Sequence, residues 1–205
     1  MINTPGSKKL QHVKVIFYFL LLLFCMAAIF PSQRLFAAKA GVTWKKRDSG
    51  TTKGLRGVTY GNSTFVAVGD EGTILTSADG VIWTTKASGD TAHLRGVTYG
   101  NSTFVAVDDG GTILTSADGV IWTTRASDIA WELSGVTYGN STFVAVGAPD
   151  QEGYGYFGDG IFTSADGVTW TAAEDSFDDS LQAVTYGNST FVAVGWWYGS
   201  IITSP

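Results

Sequence analysis

G-V-T-Y-G-N-S-T-F-V-A-V, residues 57–68, returns unchanged at 96–107 and 135–146, and as A-V-T-Y-G-N-S-T-F-V-A-V at 183–194. The first three copies are evenly spaced, and the fourth is set further on by nine extra residues between Val146 and Thr163. A second block, T-S-A-D-G, recurs at 76–80, 115–119 and 163–167, each time followed by V-x-W. Self-similarity at a fixed period of this length marks a repeat architecture, in which one supersecondary unit per repeat buries its apolar face against its neighbours. Segments 57–88 and 96–127 differ at three of 32 positions, so the repeats are recent duplicates and their shared residues reflect common origin.

Each unit reads as four short strands: G-V-T-Y, F-V-A-V, T-I-L-T-S and V-I-W-T-T. β-Branched and aromatic residues fill the runs, and Gly, Asn, Asp and Ser separate them. F-V-A-V is apolar at consecutive positions, so both of its faces are expected to be buried, as in a strand held between two packed layers. Gly61-Asn62 and Asp79-Gly80 suit the positive backbone angles of tight hairpins. Residues beyond 41 show no helical periodicity, which excludes helical solenoids of similar period. The expected fold is an all-β propeller of four four-stranded blades over residues 41–205. Gly41-Val42-Thr43-Trp44 matches Gly167-Val168-Thr169-Trp170, a fourth strand with no preceding three, while Ile201–Ser204 is a third strand with no fourth. The N-terminal strand is therefore expected to complete the last blade, within one chain or between two chains of a homodimer, since an unpaired edge invites pairing.

Residues 1–40 differ in kind. Lys8, Lys9 and Lys14 precede an apolar run from Val15 to Phe30, and Ala38-Lys39-Ala40 ends the segment. This is the order of a secretory signal peptide cleaved after Ala40. Sixteen apolar residues fall short of the ~20 that span a bilayer, so a retained membrane anchor is the second reading. Cys25, the single cysteine, lies inside this run; the rest can form no disulfide and no cysteine-based metal site. Five of the 13 basic residues and none of the 18 acids lie in residues 1–40, leaving 8 bases against 18 acids, a net −10. Such a surface repels nucleic acid and anionic lipid.

Ser77-x-Asp79-Gly80-x-x-Trp83 resembles a shortened Asp-box, the repeat of bacterial neuraminidases. It recurs as Ser116, Asp118, Gly119, Trp122 and as Ser164, Asp166, Gly167, Trp170. Over residues 41–205 the chain is similar to the sialidase-like propellers, in particular to repeats like those of photosystem II assembly factors. The resemblance implies the propeller architecture, and the box occurs in enzymes and non-enzymes alike. The residues themselves point to structural work: the Asp carboxylate can accept backbone N–H bonds in its own turn, and the Trp can pack between blades.

A sialidase, on the same resemblance, needs three arginines around a carboxylate, a Tyr/Glu nucleophilic pair and an acidic Asp. Arg56 and Arg95 occupy matching places before the first strand, but Ser134 and Gln182 stand there in the other repeats. Tyr60, Tyr99, Tyr138 and Tyr186 are repeat positions, where a nucleophile would break the symmetry. No catalytic residues are assigned, and no cofactor or metal. His93, the single histidine after residue 40, cannot make a multi-histidine site. Asp150, Glu152 and Asp159 in the insert match no calcium-loop spacing. Asn62, Asn101, Asn140 and Asn188 each begin N-S-T, which turn preference explains.

What varies is the set of loops between strand four and the next strand one, together with the insert 148–160. Arg56, Arg95, Trp131, Glu132 and Phe177 lie in or beside those loops, and Trp196, Trp197 and Tyr198 in the last blade. Variation gathered on one side of a repeat array marks a binding side, and aromatic residues favour protein or sugar contacts. The expected function is an exported, non-enzymatic protein-interaction or assembly module. The alternative is a carbohydrate-binding or degenerate glycosidase propeller.

Overall fold

The computed structural model describes residues 41, 43–89, 91–125, 129, 131–149, 160–174, 180–195 and 199–204, with Trp131 and Pro149 as backbone alone. The chain divides into residues 1–46 and 47–205. The second unit is built of antiparallel β-sheets. The first blade holds β1 (Leu55–Gly61), β2 (Thr64–Gly69), β3 (Thr73–Ser77) and β4 (Thr84–Lys86); the second, β5 (Leu94–Gly100), β6 (Thr103–Asp108), β7 (Ile113–Ser116) and β8 (Thr123–Arg125). The third holds β9 (Trp131–Gly139), β10 (Thr142–Pro149), β11 (Ile161–Ser164) and β12 (Thr171–Ala172); the fourth, β13 (Leu181–Gly187), β14 (Thr190–Gly195) and β15 (Ile201–Ser204). Strands follow in chain order across each sheet, and the first strands β1, β5, β9 and β13 lie side by side.

The doubly apolar F-V-A-V run has a direct cause. Val66 and Val68 of the first blade share a core with Phe104 and Ala106 of the second. Val105 and Val107 of the second share one with Phe143 and Ala145 of the third. Each second strand thus sends its valines forward to the next blade and its Phe and Ala back to the previous one. A fully buried side chain of this size contributes about 1.5–3 kcal/mol, and Val66, Val68, Phe104, Val105, Phe143 and Val146 are all at 0% exposure.

Local geometry departs from expectation at three points. The β1–β2 turn is Asn62-Ser63, with φ of 44° and 57°, and the same pair turns the other three repeats. Gly61 instead pairs with Thr64 as the last rung. Two left-handed residues make the type I′ turn that fits the twist of a hairpin. Asp79-Gly80 is not a two-residue hairpin: the fourth strand starts after the Trp, at Thr84, Thr123 and Thr171, so residues 78–83 form a longer turn.

The third departure concerns the fourth blade. It has three strands, β13-β14-β15, and residues 43–49 form no strand. The blades make an open arc in which β1 packs on β5, β5 on β9 and β9 on β13, with no comparable packing of β13 on β1. The expectation that the N-terminal strand completes this blade is not met among the described residues, where the sheet stops at β15. The angle at each junction is set by packing between blades, which strand patterns do not encode.

Candidate interaction face

The strand directions separate the connections into two ends. At one end lie the four Asn-Ser turns and the three Asp-Gly turns, each kind nearly identical from repeat to repeat. At the other lie the β2–β3 connections and the loops entering each first strand, which differ from blade to blade.

The constant end is held by one recurring bond set. Asp79 Oδ1 accepts from Val81 N at 2.8 Å, Ile82 N at 3.0 Å and Ser77 Oγ at 3.1 Å, while Ser77 Oγ accepts from Gly80 N at 2.9 Å. Asp118 with Ser116, and Asp166 with Ser164, repeat the set with equivalent donors and acceptors. These amides, led by Ile82, Ile121 and Thr169, hold the three carboxyls below the usual Asp range. Oδ1 of each carboxylate thus serves the turn that the same Asp begins. Trp122 Nε1 donates to Gly119 O at 3.0 Å and Trp170 Nε1 to Gly167 O at 3.1 Å. Each of these rings packs on the core it shares with the preceding blade. Trp83, in the first blade, lies 6.5 Å from its own Phe65. All three Trp are half-buried, and only Trp122 and Trp170 lie against a core shared by two blades.

At the variable end, pairing slips by one residue at Arg56, Arg95, Ser134 and Gln182. Each is the extra residue of a β-bulge, a device that re-aims a side chain and is common beside functional sites. The positions matched in sequence are therefore matched in the fold, on neighbouring first strands. Arg56 Nε donates to Asp70 Oδ1 at 2.5 Å, and Arg95 to Asp109 Oδ2 at 2.9 Å, both acids lying in the β2–β3 turn of the same blade. The Arg56 bond holds the Asp70 carboxyl below its ordinary range. His93 reaches from the second blade to the first: its Nδ1 stands 3.1 Å from Asp70 Oδ1 and 3.4 Å from Glu71 N. Protonated, it donates to the carboxylate; neutral, with Nδ1 bare, it accepts from the amide. Lys53 pairs with Glu71. The first two blades thus present a charged ladder that stays partly open to solvent, and the last two present Ser134 and Gln182 in the same row.

Glu132 is exposed on β9, where it pairs with Ala148. Trp131 is placed by backbone only, opposite Pro149. Phe177, Trp196, Trp197, Tyr198 and the acids of the insert lie outside the described residues. The bulge was invisible to sequence reading, because a bulge shows only as a count of residues on two paired strands. Among the described residues no group of three metal-ligating side chains converges, and no helix is long and apolar enough to cross a membrane.

No family model matches the chain, and no curated protein matches it. Solved structures do. YCF48 from Cyanidioschyzon merolae superposes with a TM-score of 0.61 at 17% identity, over 79% of this chain and 56% of that one. YCF48 bound to a D1 peptide gives 0.57 at 15%, over 76% and 52%. The designed protein Ika4 gives 0.59 at 10%, over 79% and 98%. The fold is that of YCF48-like propellers. The chain spans about half the length of the YCF48 structures it matches.

Proposed function

We propose that the chain is an exported, non-enzymatic interaction module that holds an extended protein segment across the variable end of its blades. One observation carries this reading: the topology collects the differing connections and the four bulge positions at one end, and the nearly identical turns at the other. Duplication copies every residue alike, so differences concentrated at one end record where identity was free, or required, to change. Arg56 and Arg95 offer planar donor forks for carboxylates or backbone carbonyls of a bound segment. A solved structure of this fold, YCF48 bound to a D1 peptide, supports a peptide partner. Residues 1–40 supply the export signal in this proposal, and Gly41 becomes the first residue of the exported chain.

The test is binding of the chain to an array of unstructured peptides and to a glycan array, alongside hydrolysis of fluorogenic glycosides. Peptides should bind, and Arg56→Ala with Arg95→Ala should weaken the best of them at least tenfold without lowering the melting temperature by more than a degree or two. Glycans binding in place of peptides, or turnover of a glycoside, would overturn the reading. Mass spectrometry of exported protein should find Gly41 at the N-terminus; an intact chain in the membrane fraction would replace the signal with an anchor.

A further inference from the structure

The loop that enters β5 is tied to two blades at once. Ala92 O accepts from Gly72 N at 2.7 Å, in the β2–β3 turn of the first blade. His93 O accepts from Asp109 N at 3.2 Å, and His93 N donates to Asp109 Oδ1 at 3.2 Å, in the β6–β7 turn of the second. The backbone of His93 is thereby clamped, and its ring reaches across the junction to the first blade.

Asp70 is held as firmly. Its N donates to Gly54 O at 2.9 Å, and a Cβ on Gly54 would stand 2.5 Å from Asp70 Oδ2. Oδ1 carries the side chain's contacts to the junction, and it has two partners: Arg56 Nε donates to it at 2.5 Å, and His93 Nδ1 stands 3.1 Å from it. The same Nδ1 stands 3.4 Å from Glu71 N. These two contacts of Nδ1 exclude each other. The Glu71 amide needs a bare Nδ1 to accept from it, and the Asp70 carboxylate needs an Nδ1–H to donate to it. One nitrogen therefore faces a donor and an acceptor, and its proton decides which contact is made.

The charged groups around the imidazole come from both blades. Asp70 and Glu71 stand in the β2–β3 turn, Arg56 on β1 pairs with Asp70, and Lys53 pairs with Glu71. On the second blade Asp109 lies in the β6–β7 turn and pairs with Arg95 of β5. Of these side-chain types only imidazole ordinarily changes charge between pH 5 and 8. Arg56, first among its partners, holds the Asp70 carboxyl below the usual range, so Asp70 stays ionised across that interval. In the other blades Gly54, Glu132 and Ser180 occupy the place of His93, two positions before each bulge. The Arg95 pair is built without an imidazole, since Asp109 takes only the backbone of His93.

We propose that His93 is a pH-operated gate on Arg56. With the ring neutral, bare Nδ1 accepts from Glu71 N and leaves Asp70 to Arg56. With the ring protonated, Nδ1 donates to Asp70 Oδ1 and the Arg56 guanidinium is released toward a carboxylate of the bound segment. That last step rests on the peptide-binding reading above; the gate itself does not. Release follows from charge: one carboxylate oxygen then faces two cations, and like charges this close repel. His93 keeps its place because Asp109 clamps its backbone, whereas the Arg56 side chain is 41% exposed and can turn to solvent. The same step frees Glu71 N–H, a second donor on the variable end. Acid therefore opens the first blade's arginine and leaves the second blade's paired.

The experiment is nuclear magnetic resonance on the full chain in nonionic detergent, with nitrogen-labelled histidine and arginine and with His12→Gln so that His93 is the single histidine. Arg56→Lys assigns the Arg56 signal. From about pH 8 to about pH 6 the ring should pass from the Nε2–H tautomer to the doubly protonated form. Over the same interval the exchange of Arg56 Nε–H with water, taken relative to that of Arg95, should rise about threefold, the size expected of an exposed ion pair. His93→Gln should hold that ratio flat, and so should Asp70→Asn with His93 in place. A blocked tetraglutamate peptide is the binding probe: its affinity should rise about threefold more on acidification in the parent than in His93→Gln. The proposal is overturned by an Nδ1–H tautomer at the alkaline end, by an exchange ratio that does not move, by the same movement in His93→Gln, or by one pH slope of probe affinity in both chains. A probe that binds at neither pH would overturn the role of Arg56 in holding a carboxylate and not the gate, which the Arg56 signal reports without any ligand.

Discussion

The same substitution at two copies of one repeat position should have opposite signs. Gly100 and Gly187 both end a first strand, and neither has the left-handed backbone that would penalise alanine. A methyl on Gly100 would overlap three atoms of the Tyr138 ring, and that ring is wedged against Phe143 with centroids 4.6 Å apart. It cannot swing away without moving the blade. Overpacking of this kind costs about 1–3 kcal/mol, and a rigid ring places Gly100→Ala near ~3. At Gly187 the methyl meets nothing, so Gly187→Ala acts through the unfolded chain and stabilises by about 0.4–1 kcal/mol. At roughly 2–4 °C per kcal/mol for a domain of this size, the pair should differ by about 7–16 °C in melting temperature. The assay is thermal unfolding of the full chain, followed by Trp fluorescence. Equal effects would mean the blades do not stack as described. A strongly destabilising Gly187→Ala would mean that something in the same chain already covers that strand end.

The tryptophans should rank by neighbour: Trp122→Ala should cost about 3 kcal/mol, the low end of the aromatic-truncation range because the ring is half-buried, and Trp83→Ala clearly less, since no blade precedes it. Equal losses in chemical denaturation would contradict the open arc. Asp118→Ala removes the acceptor for Val120 N and Ile121 N and should cost about 1 kcal/mol, by analogy with a lost helix cap, leaving peptide binding intact. The folded-state values of Asp70, Asp79, Asp118 and Asp166 lie below the unfolded one, so their contribution is present above the unfolded value and disappears as pH falls through the folded values. Melting temperature should hold between pH 7 and about 5 and fall below about 4; Asn at positions 79, 118 and 166 should flatten that acid limb, and an unchanged slope would show that these turns do not set it.

Much of the candidate face was readable in advance only as a row of positions. Arg56 and Arg95 were matched by repeat arithmetic, and the fold keeps them matched. Their partners Asp70 and Asp109 were not foreseen, because they come from a hairpin turn on the other side of the strand pair. A signal existed: Asp occurs at the same offset, 14 positions on, after each Arg, and those two β2–β3 turns differ from the insert-bearing third. The Asp-Gly turns were the opposite case. The Ser and Asp bonds that shape them lie within three residues, so the motif carries that chemistry; among the described residues only the bonds from Asn62 to Ala117 O and from Asn101 to Ala165 O come from the blade before.

From sequence alone follow the period, the strand order inside a blade, the doubly buried second strand and the turn carboxylates, because each rests on local backbone preference or on a pattern that returns in every repeat. Tertiary structure alone decided what each copy of a residue experiences. Val58 and Val97 sit in the same eight-residue context, G-V-T-Y-G-N-S-T, yet one is 65% exposed and the other 8%. Burial is a property of the neighbouring blade, and whether a neighbour is there depends on the angle between blades. That angle arises where the first strands meet at Gly57, Gly96 and Gly135 and the tyrosines lie on the glycines of the blade before, contacts between residues a whole repeat apart that no single repeat contains.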